Sequence, residues 1–191
     1  DESARFTRIR PILTPRFTPS CTDELMGWLG KVASERSVFV QSHLSENKRE
    51  IELVKELHPD CEQYWQTYEK FGLWTDHTIM AHCVHSDAKE QQAMIDHNVL
   101  CVHCPDSNIN ICSGFAPVRQ MKQRGVWVAL GSDIAGGAQL PMLSVLTGCL
   151  RMSKARAIAT EGKESFLTVG EAYYLATSAG ARYFGDEDGF A

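Results

Sequence analysis

The sequence predicts an α/β protein of the (β/α)8 barrel type, with about five strand–helix units, strands 4–8 of the barrel, in this chain. Three observations predict it. Four short apolar runs each finish on a polar residue able to bind metal: 38–42 on His43, 78–81 on His82, 99–102 on His103 and 126–132 on Asp133. Helix-like sequence follows each run. Polar residues at the C-terminal ends of successive parallel strands are how such a barrel builds an active site. At 191 residues the chain can bury a core as one domain.

A first strand falls around residues 10–14 and runs into a loop carrying Arg16 and Phe17. A helix over 20–34 follows, with Ser20 placed to cap it and Leu25, Leu29 and Val32 at helical spacing. Strand 38–42 then delivers His43, and Glu46 comes three residues later. The helix over 47–57 is charged, with Ile51, Val54 and Leu57 on one stripe, and Pro59 ends it. Residues 64–74 are dense in aromatics: Tyr64, Trp65, Tyr68, Phe71 and Trp74. A helix packed on the outside of the barrel accounts for them; a lid or dimer face is the alternative, since Tyr and Trp are enriched at such surfaces.

Strand 78–81 leads to His82 and a helix over 87–97, and strand 99–102 to His103 and a loop over 103–108 that Pro105 and Asn108 break. A helix over 116–124 stops at Gly125, and strand 126–130 delivers Asp133 before a Gly136-Gly137 turn. Pro141 suits the first turn of a helix reaching about 159. Thr168 and Glu171 form a capping box that starts a helix to about 183. A closed barrel has eight units in roughly 250 residues. Five leave sheet edges open, so a preceding portion of the same polypeptide is expected to supply the first three strands.

Composition excludes several classes. The formal charge is −5 and no basic block occurs, which argues against a nucleic-acid surface. No run approaches the roughly 18 apolar residues of a membrane helix, and no secretory signal opens the sequence. The seven cysteines are odd in number and sit inside apparent elements, as at Cys83, Cys101 and Cys149. That pattern predicts reduced thiols in a cytoplasmic protein.

The chemistry lies in His43, His82 and Asp133. Two imidazoles and a carboxylate suit zinc, one per subunit, with a position left open for water. Glu46 is placed to shuttle protons between that water and a substrate. Competing motifs are weaker. Cys101 and Cys104 form a C-x-x-C without a second pair, and alternation sends them to opposite faces. The His43-x-x-Glu46 spacing and the Cys104-Pro105 order differ from the H-x-E and P-C-x-x-C of the other zinc deaminases. His85 reads as a loop histidine, and His58, His77 and His97 as surface.

Taken together, Ser42-His43-Leu44-Ser45-Glu46, Met80-Ala81-His82, His103-Cys104-Pro105-x-Ser107-Asn108 and Gly131-Ser132-Asp133 resemble the fifth- to eighth-strand motifs of the amidohydrolase superfamily. Pro15-Arg16-Phe17-Thr18-Pro19-Ser20-Cys21 is similar to the guanine deaminase family within it. The resemblance implies zinc-dependent hydrolysis of guanine to xanthine and ammonia by a homodimer. It makes His43 and Asp133 metal ligands that also face the substrate. His82 either ligates zinc or hydrogen-bonds the bound water and the substrate. Glu46 matches the general acid/base, and Arg16 and Phe17 match purine-binding positions. A guanidinium can donate to a purine carbonyl and an aromatic ring can pack on its face.

The family's first-strand His-x-His pair does not occur in these 191 residues, nor does its return to a small β-domain. The chain therefore reads as a partial amidohydrolase barrel domain over 1–191, with the pair expected in the preceding portion. Two other readings stay open: an aminohydrolase of the same superfamily acting on another purine, a pterin or a triazine, and a binding or scaffolding module that kept the barrel without the metal. Retention of His43, His82, Asp133 and Glu46 together speaks against the second.

Overall fold

Five parallel strands make one sheet: β1 (Ile12–Leu13), β2 (Phe39–Leu44), β3 (Thr78–His82), β4 (Leu100–His103) and β5 (Trp127–Leu130). Their order across the sheet is their order along the chain. This computed structural model describes residues 10–185. Parallel neighbours need a crossover, and helices supply it: α1 (Asp23–Arg36) joins β1 to β2, α2 (Lys48–Leu57) and α3 (Trp65–Lys70) join β2 to β3, and α4 (Ala88–Asp96) joins β3 to β4. Between β4 and β5 come α5 (Pro105–Asn110) and α6 (Val118–Arg124). The helices α7 (Met142–Ala159), α8 (Val169–Ala176) and α9 (Ser178–Tyr183) follow β5. This is the run of units expected of five consecutive barrel strands.

The core lies between sheet and helices. Leu44, Met80, Leu100 and Val128 from the strands are buried together with Met26, Val54, Met94, Met121 and Val145 from the helices. The aromatic stretch belongs to this core. Tyr64, Tyr68 and Trp74 are buried, which is the packing alternative for that segment.

Helix starts follow capping chemistry. Asn47 and Glu50 form a capping box on α2, Thr168 and Glu171 another on α8, and Asp87 caps α4 by accepting from the amide of Glu90. Gly125 ends α6 at φ 98°, a conformation glycine adopts without penalty.

Four local expectations change. Thr22, not Ser20, caps α1, because residues 18–20 form a 3-10 turn carrying Pro19. Residues 105–110 are helical rather than loop, since Pro105 takes a first-turn position where its missing N–H costs nothing. The last helix breaks into α8 and α9 at Thr177, whose ψ of −90° leaves the helical region. His58 is buried rather than at the surface, with Nε2 4.0 Å from Asp23 and its ring edge-on to Phe71. All seven cysteines are free. Among the described residues, no helix is long and apolar enough to cross a membrane.

Candidate active site

Register brings the strand ends level. His43 pairs with Ala81, Leu44 with His82, Ala81 with Val102, and His103 with Leu130. The chain then turns sharply as it leaves the sheet. Ser45, His82, Cys83 and Asp133 all have φ between 43° and 73°, a region that non-glycine residues occupy only when their surroundings hold them there. These turns aim Glu46, His82 and Asp133 toward one end of the sheet.

His43 is anchored first. Its Nδ1 lies 2.5 Å from the carbonyl oxygen of Arg16. A carbonyl only accepts, so Nδ1 carries the proton and Nε2 is left as a lone pair. The His43 and His82 rings stack with centroids 5.1 Å apart and planes 16° from parallel. His82 is buried; its Nδ1 lies 2.8 Å from Asn108 Oδ1 and 3.4 Å from Glu46 Oε1, and its Nε2 lies 3.9 Å from Asp133 Oδ2. Glu46 Oε1 accepts from Ser113 Oγ at 3.0 Å. A cavity of about 180 Å³ is lined by His43, Ala81, Val102 and Asp133, among others.

Arg16 and Phe17 sit beside this group. The Phe17 ring meets the His43 ring edge-on at 6.4 Å, and the Arg16 guanidinium carbon lies 5.1 Å from the Phe17 centroid. Ser42 ties the loop down, with Oγ 2.8 Å from the Pro15 carbonyl and 3.1 Å from that of Arg16. Tyr68 donates to the His43 carbonyl at 2.7 Å and meets Ser42 Oγ at 2.9 Å.

The donors fit zinc in kind: imidazole nitrogens whose other nitrogen is held by an oxygen acceptor, and a carboxylate. They do not close into a site by themselves. Among the described residues, no group of three His, Cys, Asp or Glu gathers closely enough to hold a metal ion. The thiol of Cys104 is pushed far up by burial, then by the charge of Asp133, which leaves it a poor ligand. His103 is held neutral, its pKa pushed down to about 3 by burial and then by nearby His82. Its Nδ1, Ser107 Oγ and Asn108 Nδ2 are buried without a hydrogen-bond partner.

Sequence reasoning passed over Asn108, Ser113, Ser42 and Tyr68 as site residues. Asn108 and Ser42 lie inside the motifs quoted above, and for Ser42 its place next to the strand-end His43 is the available signal. Ser113 lies 67 residues from Glu46 and offered none.

The Amidohydrolase family pattern matches residues 4–189. The chain belongs to this family. It is 43% identical over 174 residues to a guanine deaminase of Dictyostelium discoideum, covering 91% of this chain and 38% of that protein. A guanine deaminase from C. acetobutylicum, solved with guanine bound in its active site, superposes at a TM-score of 0.88 with 45% identity. That match covers 92% of this amidohydrolase chain and 42% of the other. An adenosine deaminase from Xanthomonas campestris with bound zinc shares the fold at a TM-score of 0.86 and 23% identity, over 98% of this chain and 42% of its own. The chain thus spans about two fifths of the length of the curated relatives it matches.

Proposed function

We propose that this chain carries the proton-transfer and purine-reading portion of a guanine deaminase, which hydrolyses guanine to xanthine and ammonia. One observation carries the reading: Glu46 lies 3.4 Å from His82 at the strand ends, beside a cavity lined by His43 and Asp133. The guanine deaminases among its relatives support the substrate.

His43 and Asp133 are the metal ligands in this reading. His82 faces the same point, as a third ligand or as a hydrogen-bond partner of the attacking water and the substrate. Zinc, one per subunit, would when bound lower the pKa of a water to about 7 and so supply hydroxide at neutral pH. Glu46 would take a proton from the attacking water and deliver it to the purine ring, a role its closeness to His82 and the Ser113 hydroxyl supports. Asp133 would also accept a hydrogen bond from that water and aim it. Arg16 donates to the purine carbonyl and Phe17 packs on the ring, both placed by the hydrogen bonds of Ser42 and His43 to the Arg16 backbone.

The reading asks for more than these residues. In this reading two further ligands and the strands that close the barrel would be supplied by another part of the polypeptide, as the shorter span of this chain against its relatives allows. A cytoplasmic homodimer completes the proposal.

Guanine turnover followed by absorbance, run beside metal analysis on the purified full-length protein, tests it. About one zinc per chain with xanthine formed supports the assignment. Preferential turnover of another purine, a pterin or a triazine overturns the substrate. Zinc-free protein with no turnover overturns the enzyme reading.

A further inference from the structure

Glu90 stands in the first turn of α4, behind the candidate site, and is only 2% exposed. Its Oε2 accepts from Ser45 Oγ at 3.1 Å and its Oε1 from Ser86 Oγ at 2.5 Å. Ser45 immediately precedes Glu46, and Ser86 closes the turn that His82 opens. One carboxyl group therefore holds two separate turns. The backbone joins the same two turns, with Cys83 N donating to Leu44 O and His85 N to Ser45 O, each at 2.9 Å.

Helix capping does not explain this carboxyl, because Asp87 already caps α4 through the Glu90 amide. Nor does packing, since an apolar side chain of similar volume fills buried space without desolvating a polar group. What needs holding is the backbone. Ser45, His82 and Cys83 lie in the left-handed region, and such conformations persist only where the surroundings over-determine them.

We propose that Glu90 is a positioning residue, which clamps the turn carrying Glu46 to the turn carrying His82 and so fixes the 3.4 Å approach of their side chains. The proposal rests on the reading of Glu46 as the proton carrier. Arg16 and Phe17 are held from the other side, through Ser42 and His43, so the clamp acts on turnover rather than on purine binding.

The test compares Glu90→Ala, Glu90→Gln and the Ser45→Ala/Ser86→Ala pair in the zinc-loaded full-length protein. Amide hydrogen exchange at Cys83 and His85 and the kinetics of guanine turnover are the two readouts. Glu90→Ala is expected to speed exchange at both amides about tenfold or more. It is also expected to lower kcat on the order of 10- to 100-fold, with KM little changed. Glu90→Gln, which keeps the shape and one acceptor, recovers most of both. The serine pair removes the same two hydrogen bonds and carries the test if Glu90→Ala does not fold. Unchanged exchange at both amides, or a loss that appears in KM alone, overturns the clamp. If the unaltered protein does not turn over guanine, the functional reading fails, and the exchange arm, which needs no substrate, still decides whether Glu90 holds the turns.

Discussion

His43 donates through Nδ1 to the backbone carbonyl of Arg16 at 2.5 Å, so the side chain proposed to bind metal is tied to the loop proposed to read the purine. Ser42 Oγ reinforces this contact from 3.1 Å. Partners of a metal-binding histidine typically change metal affinity 10- to 100-fold when lost. Ser42→Ala is therefore expected to weaken zinc binding about tenfold in chelator competition. Unaltered affinity would mean the His43 contact holds the loop without the serine.

Glu46→Gln keeps the side chain's shape and removes its capacity to carry a proton. Turnover is expected to fall by about 10² or more. Metal analysis should still find close to the unaltered zinc content, because Glu46 is not in the ligand set. Normal turnover removes Glu46 from the assigned role.

Gly136 has no room for a side chain. A Cβ there would sit 2.7 Å from Asp133 Oδ2 and 2.7 Å from Ser107 Oγ. Gly136→Ala must therefore displace the Asp133 carboxylate, and a misplacement of about 1 Å costs on the order of 10²-fold in rate. Steady-state kinetics on the variant checks this, and an unchanged kcat would free Asp133 from any exacting position.

Glu171 couples α8 to pH. Hydrogen bonds from the Thr168 amide and hydroxyl, then from Arg119 and Lys122, hold its pKa down to about 2 against an ordinary 4.5. A depressed carboxylate contributes stability that is fully present above its unfolded pKa and is lost as pH falls through the folded value. Here the loss falls between about pH 4.5 and pH 2. Glu171→Gln should lower stability at neutral pH by about 1 kcal/mol, the usual worth of a helix cap, and flatten that acid limb. Denaturant unfolding across the range is the check; an unchanged acid limb would remove Glu171 as its source.

The strands and the candidate residues at their ends are legible because each apolar run ends on a polar residue, a pattern local to a few positions. His43, His82 and Asp133 stand at the ends of such runs as candidates, and the caps at Thr168 and Gly125 follow from equally local chemistry. What stayed hidden depends on distance along the chain. Glu90 reaches Ser45 across 45 residues, and nothing near it marks a buried carboxyl. His58 sits at a helix end, where exposure is the ordinary expectation, until Asp23 and Phe71 close over it. Ser20 and Thr22 are both good capping residues, and only the turn through Pro19 decides between them. The break at Thr177 has neither proline nor glycine to announce it.

The sheet has one further consequence, in the order of its assembly. Each strand pairs with the strand before it in the chain. Within the described sheet no strand waits for one further along the chain, so each pairing closes a single crossover. A chain emerging from the ribosome can add one strand and its helix at a time to an edge already formed. Each added strand then takes its register, and with it the level of its site residue, from its predecessor, so an error of alignment at β2 would be copied into β3, β4 and β5.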